Sequence, residues 1–119
     1  MSAIQLAVND HAYARWVRSL LLRHGAHQVY ITDWPELKLG GVIVIDRKKL
    51  DKLLPARKDL RRLLVIAPND PESLSQLWTA GVRHVVFEGD PPAAAALTIL
   101  ALETSLSERD RASSYRRSH

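Results

Sequence analysis

The chain contains no cysteine, and this absence removes two classes of structure. Among its 119 residues there can be no disulfide and no thiolate-held metal. A small domain that does without disulfides has to be stable through its core alone, and this length is sufficient for one core. The expected compartment is therefore a reducing cytoplasm.

Long apolar runs are also lacking. The first residues, MSAIQLAV, contain neither a basic segment nor an extended apolar one, so no secretory signal is expected. The longest run of small apolar residues, AAAALTILAL, has about half the length needed to cross a bilayer. The sequence therefore predicts no membrane segment, and no membrane partner is expected.

Positive charge is abundant but confined to one segment. The net charge is +4, whereas residues 47–62 alone carry eight cations and two acids. The cations are Arg47, Lys48, Lys49, Lys52, Arg57, Lys58, Arg61 and Arg62. This basic run has two interpretations, a binding patch for an acidic protein or nucleic acid, or a solvated helix face. Nucleic acid is not favoured, because the run has no aromatic residue that could stack on bases.

Hydrophobic periodicity predicts five strands that alternate with helices. The strands are AIQLAV, HQVYIT, GGVIVID, RLLVIA and RHVVFE. Helices are expected over 11–24, over 48–62 with a break at Pro55, from Pro71 to Gly81, and over 92–107. The connection DWPELK between the second and third strands has room for one helical turn at most. Trp16 and Trp78 are expected beside the core and Trp34 at the surface.

Strands joined by helices pair in parallel, and such sheets bind ligands at the carboxyl ends of their strands. Five residues stand at those ends: Asn9, Asp10, Asp46, Ala67 and Glu88. Asp46 closes the most apolar strand, and basic residues follow it directly. It is either a chemical centre or the polar end of a buried strand.

Residues 3–107 resemble the receiver domain of bacterial response regulators. The resemblance rests on QLAVND with the helix after it, on VIVID, and on LLVIAPNDPESLSQLWTAGVRHVVFEGDPP with its Ala80-Gly81 pair. It implies a flavodoxin-like three-layer α/β sandwich with a five-stranded parallel sheet in the order 2-1-3-4-5 and a second helix that is shortened or missing. The expected domain is 1–107, followed by a basic, disordered tail or linker over 108–119.

Receivers transfer a phosphoryl group to an aspartate, and most of the residues that this requires are replaced here. Asp46 matches the phosphoacceptor, but the acidic pair that holds Mg²⁺ becomes Asn9-Asp10. Ala67 stands at the hydroxyl position and Glu88 at the lysine position, so a hydrogen-bond donor is lost and a charge is reversed. The resemblance therefore implies a degenerate receiver, not an enzyme, that acts through protein–protein interaction in bacterial signalling or transcription regulation.

Two other functions stay open. Asp46 could still accept a phosphoryl group with Asp10 as a ligand of weakly held Mg²⁺, to which Glu88 could add a third carboxylate. Alternatively, the strand ends could bind a nucleotide or metabolite, although no glycine-rich phosphate cradle is present.

The last predicted helix is apolar on more than one side. Leu97, Ile99, Leu100 and Leu102 nearly encircle it, and Ala93 begins a stretch of four alanines. A helix of this kind usually has a partner on its second face. The sequence therefore predicts a homodimer through Ala93, Leu97 and Leu100.

Overall fold

Five parallel strands form one sheet in a computed structural model of the chain. The structure describes residues 3–53 and 60–117, the last nine of them by their backbone only. The strands are β1 (Ile4–Ala7), β2 (Val29–Ile31), β3 (Ile43–Asp46), β4 (Leu63–Ala67) and β5 (His84–Phe87). Their order in the sheet is β2-β1-β3-β4-β5, and every pair is parallel, as predicted.

Helices cover both faces of the sheet. They are α1 (His11–Arg23), α2 (Arg47–Leu53), α3 (Pro71–Ala80) and α4 (Pro92–Arg117), and a 3₁₀ turn spans Leu60–Arg62. On one face Val17 and Leu21 of α1 share a buried cluster with Ile99 of α4. On the other, Leu50 of α2 and Leu77 of α3 share a second cluster. This is the three-layer, flavodoxin-like sandwich that the sequence predicts.

Helix α3 begins and ends where its sequence indicates. The Asp70 carboxylate accepts from the Ser73 N–H at 2.7 Å and from the Ser73 hydroxyl, and these bonds lower the pKa of Asp70. Pro71 is the first helical residue, and Gly81 ends the helix with φ 97°.

The connection between β2 and β3, hereafter the crossover (residues 32–42), contains no helix. It therefore differs from the other three connections, as predicted. Pro35 disfavours helical backbone at Trp34, and Gly40 and Gly41 follow within six residues. The chain passes over β1 as an irregular segment instead.

Gln5 fixes the crossover to the sheet. It is the only buried polar residue among those that the structure describes, with 2% exposure. Its amide donates to the Glu36 carbonyl at 2.9 Å, and its carbonyl accepts from the Glu36 N–H at 2.6 Å. A single side chain thus satisfies both polar groups that Glu36 contributes to the backbone.

Arg62 holds the far end of the crossover. Its guanidinium donates to the carbonyls of Gly41 at 2.8 Å, Leu37 at 3.2 Å and Leu39. Gly41 has φ 102°, and a Cβ there would lie 2.2 Å from the Ala3 carbonyl oxygen. The backbone of the crossover therefore lies directly against Ala3, the residue before β1, and only glycine fits at position 41.

Two tryptophans do not lie where the sequence predicts them. Trp16 is 65% exposed and Trp78 is 47% exposed, so neither packs in the core. The buried stripe of α1 is Ala14, Val17 and Leu21, and this places Trp16 on the opposite side of the helix. In α3 only Leu77 is buried, and its neighbour Trp78 points outward.

The C-terminal end also differs from the expectation of a disordered tail after residue 107. Helix α4 continues to Arg117. Residues 108–117 contain neither glycine nor proline, so nothing in them breaks the helix. The predicted break at Pro55 lies outside the described residues.

Gln5→Leu should lower the free energy of unfolding by about 2 kcal/mol, because the Glu36 N–H loses its partner and the Glu36 carbonyl keeps only the Leu39 N–H at 3.2 Å. Urea unfolding measures this change. Gln76→Leu is the matched control; it removes an exposed amide and should change stability by less than about 0.5 kcal/mol. Equal stability of the Gln5→Leu protein and the parent would show that the crossover does not depend on this clamp.

Candidate functional site

A cleft of about 570 Å³ opens at the carboxyl ends of the strands. Its chemistry comes from polar residues contributed by the β1–α1 segment, α1, β3, α2 and the β5–α4 loop. They are Asn9, Asp10, Tyr13, Asp46, Arg47, Lys48 and Glu88. Four of the five strand-end residues singled out in the sequence therefore line one cleft, as a parallel sheet requires.

Asp46 has both carboxylate oxygens engaged by backbone. Oδ1 accepts from the Lys49 N–H at 3.0 Å, and Oδ2 accepts from the Asn9 N–H at 3.0 Å. The first bond caps α2, which starts at the next residue without any intervening loop. The second joins the end of β3 to the segment after β1. Asp46 therefore acts as a structural tie at the centre of the rim.

Asp10 is also a helix cap. Its side chain accepts from the Tyr13 N–H at 3.0 Å at the start of α1. Asn9, the residue before it, contributes its backbone N–H to Asp46. The pair that would hold Mg²⁺ in a receiver thus supports local backbone structure, and one member carries no charge.

Ala67 does not line the cleft. It is fully buried in the cluster beneath α2 and α3, and its neighbours Ile66 and Pro68 reach the cleft instead. None of these three residues has a hydroxyl. At the end of β5, Glu88 donates its backbone N–H to the Ala67 carbonyl at 2.8 Å and exposes its carboxylate. The ends of β4 and β5 therefore contribute no uncharged side-chain hydrogen-bond donor and no cationic side chain to the cleft.

The cleft also contains a phenol that sequence reasoning passed over. The Tyr13 hydroxyl is buried and has no hydrogen-bond partner among the described residues. Burial raises the pKa of Tyr13, and the nearby charges of Asp90 and Asp10 raise it further. Tyr13 therefore stays neutral and can donate one hydrogen bond.

The basic run separates into residues with different surroundings. Arg47 pairs with Asp51 at 3.3 Å and donates to Gln76 of α3 at 3.2 Å, and Arg62 binds the crossover. Lys48, Lys52 and Arg61 are exposed, and Lys49 is half-buried. Arg57 and Lys58 lie outside the described residues. Among the described residues of the run, Arg47 and Arg62 therefore have structural contacts, while Lys48, Lys52 and Arg61 are exposed; the binding patch remains a prediction.

The three residues predicted to form a dimer surface do not share one environment. Ala93 is exposed, and Leu97 is 67% exposed on the outer side of α4. Leu100 packs against the cluster between α1 and α4. The outward apolar surface of this helix therefore centres on Leu97.

Metal ligands are not gathered at the rim or elsewhere in the part of the chain that the structure describes. No three histidine, aspartate or glutamate side chains come together there in a way that could hold an ion. Asp10 and Asp46 line the same cleft, but each accepts hydrogen bonds from backbone. Likewise, no described helix has the length and apolar character that crossing a membrane requires.

Gln5 and Arg62 are structurally important residues whose roles sequence reasoning missed. The signal for Gln5 was present, since it is a polar residue inside the apolar strand AIQLAV. Arg62 carried no such signal, because it stands among seven other cations.

Comparisons of the chain with protein-family models and with curated proteins found no match.

Asp46→Ala should destabilise the protein by about 1–2 kcal/mol, because the cap of α2 and the tie to Asn9 are both lost. Asp46→Asn keeps one acceptor oxygen and should cost less. Asp51→Ala is the control, since it breaks only an exposed ion pair with an expected cost below about 1 kcal/mol. A more stable Asp46→Ala protein would contradict the structural role and point to relief of repulsion within an acidic cluster.

Proposed function

We propose that the protein is a degenerate receiver-like module that binds a protein partner without being phosphorylated. The observation that supports this most is the use of both Asp46 carboxylate oxygens by the backbone of Asn9 and Lys49. Together the two bonds contribute about 1–2 kcal/mol, which is the loss expected for Asp46→Ala. Each oxygen keeps a second lone pair, but the two bonds hold the carboxylate in one orientation and make it a weaker nucleophile.

The surroundings of Asp46 support the same proposal. An acyl phosphate needs a divalent cation and fixed donors around its oxygens. Ile66 and Pro68 offer no donor from β4, and Glu88 brings a negative charge from β5. Arg47 could supply a cation, but it already contacts Asp51 and Gln76.

Phosphoryl acceptance at Asp46 is the second candidate, and one observation favours it. Lys48 lines the cleft and could face a phosphoryl group from α2. This would place the cation on the opposite side of the rim from the position at which receivers hold it. Asp10 would then be the remaining carboxylate for Mg²⁺.

Incubation with acetyl phosphate and Mg²⁺, followed by intact-mass measurement, separates the two candidates. No phosphoryl adduct should exceed the level seen for Asp46→Asn, because β4 supplies no hydroxyl and β5 supplies a carboxylate in place of a cation. A functional receiver treated in parallel verifies that the donor is active. An adduct that is present in the parent and lost in Asp46→Asn would overturn the proposal.

Self-association through α4 is part of the proposed binding role. Leu97 is among the most exposed large apolar residues that the structure describes, and it lies beside small residues on the same outer side of the helix. Small neighbours allow a second helix to approach closely, and the exposed leucine would be buried by that approach.

Leu97→Glu should convert a dimer into a monomer, because a charge would be buried at the centre of the α4 contact. Sedimentation across a concentration series measures this. Leu22→Glu, on an exposed leucine of α1, is the matched control and should leave the dimer intact. A parent protein that remains monomeric at every concentration would refute self-association.

A further inference from the structure

The missing helix leaves apolar side chains exposed on one side of the sheet. Tyr30 alternates with the buried Val29 along β2, so it points to the face on which the crossover lies. Four residues of β2 and the crossover are between 41% and 48% exposed on this side of the molecule: Tyr30, Trp34, Leu37 and Leu39. We call them the crossover patch. Exposed apolar groups of this size commonly mark a binding surface.

Helix α2 lies next to the crossover on the same face. Gln5 of β1 holds the crossover and is paired in register with Ile43 of β3, while α2 packs on β3 and β4. Arg47 and Asp51 occupy the flank of α2 toward α3, where Arg47 reaches Gln76. The opposite flank, toward the crossover, therefore carries Lys49 and Lys52, with Lys48 at the outer surface.

Positive charge predominates around the crossover patch. The ammonium groups of Lys38, Lys48 and Lys52 form no ion pair with any residue that the structure describes, and all three side chains are exposed. Arg62 adds charge at the base of the crossover.

Acids are fewer than cations on this side, and of the three that the structure describes only Asp51 forms an ion pair with an arginine or lysine. Asp33 lies 3.9 Å from His11 of α1, and Asp51 pairs with Arg47. The Glu36 carboxylate accepts from the Lys38 N–H at 3.3 Å. A partner that approaches the crossover patch would therefore meet apolar surface bordered by lysines, which favours acidic residues beside an apolar stripe.

The adjacent sheet edge is not suited to an added strand. Strand β2 has three residues, and its described pairing is with β1 alone. Arg18 of α1 donates to the Val29 carbonyl of this strand at 3.0 Å. A strand joining the edge would have to displace that bond, whereas a helix lying on the face would not.

From this arrangement we infer that the partner presents an acidic amphipathic helix, whose apolar stripe packs on the crossover patch while its carboxylates meet Lys38, Lys48 and Lys52. Such a helix would lie beside α2 on the part of this face where the crossover, and no described helix of the chain, covers the sheet. The inference rests on the proposed binding function and specifies the class of partner.

Selection from a display library lets the protein choose the charge of its ligand. The library contains helical peptides of about 18 residues, or five turns, with leucine fixed along one stripe and the other positions randomised among Glu, Lys and Gln. The full chain is the bait. Selected peptides are then measured by fluorescence anisotropy against the parent and four variants.

Two double variants test the surface, and two single variants are their controls. Leu37→Ser with Leu39→Ser and Lys48→Glu with Lys52→Glu should each weaken binding by on the order of tenfold or more. Leu22→Ser and Arg15→Glu change an exposed leucine and an exposed cation of α1 and should leave affinity unchanged. Urea unfolding verifies that all four variants fold.

Enrichment of Glu-rich peptides whose binding follows this pattern would support the inference. Enrichment of Lys-rich or uncharged peptides, loss of binding in the control variants, or no enrichment at all would overturn it. Amide chemical shifts give an independent readout, because bound peptide should shift residues 30–41 and 47–53 but not 92–101.

Repeating the binding measurement with acetyl phosphate and Mg²⁺ distinguishes failure of this inference from failure of the proposed function. Binding that requires Asp46 and the phosphodonor would overturn phosphorylation-independent action while leaving the acidic-helix surface intact. Absence of peptide binding together with absence of a phosphoryl adduct would overturn the surface alone.

Discussion

Two backbone N–H groups, from Asn9 and Lys49, donate to the two oxygens of the Asp46 carboxylate, and the geometry of the strand-end rim depends on this pair of bonds. One bond allows β3 to pass into α2 without a loop; the other fixes the segment that precedes α1. In a receiver the corresponding carboxylate must be available for chemistry. One side chain serves both purposes less well, because the two bonds fix the orientation of the carboxylate and reduce the electron density available to an attacking oxygen.

The crossover is the second feature that differs from the receiver pattern. Here too, backbone groups depend on hydrogen bonds from side chains. A helix between β2 and β3 would satisfy its own backbone and cover the sheet. The irregular crossover cannot do so, and Gln5 and Arg62 supply hydrogen bonds that a helix would make internally. Apolar residues that such a helix would cover remain exposed. The crossover, which has no helix, therefore comes with both a polar clamp and an apolar surface.

Much of this fold follows from the sequence, because uniformly apolar strands and clear helix boundaries are local signals. Asp70, Pro71 and Gly81 delimit α3 through their own chemistry, and Trp34-Pro35 argues against a helix in the crossover. The sequence also predicts that the strand-end residues lie together, because a parallel sheet places the carboxyl ends of its strands at one rim. The partners of Asp46 could not be predicted, because backbone N–H groups leave no trace in residue identity. The prediction that Trp16 packs beside the core was wrong for a related reason. Ala14 belongs to the buried stripe of α1 and shifts it by one position, and alanine carries little hydrophobic signal.

The most direct test of the account is a titration with beryllofluoride, a mimic of the phosphoryl group, in the presence of Mg²⁺. The account predicts that ¹⁹F NMR detects free fluoride species only, and that the amide resonances of Asn9 and Lys49 do not move, because the Asp46 oxygens stay bonded to backbone. A bound ¹⁹F signal that disappears in Asp46→Asn, with shifts of both amides, would contradict it. That result would mean that the rim opens and that Asp46 serves as a phosphoacceptor.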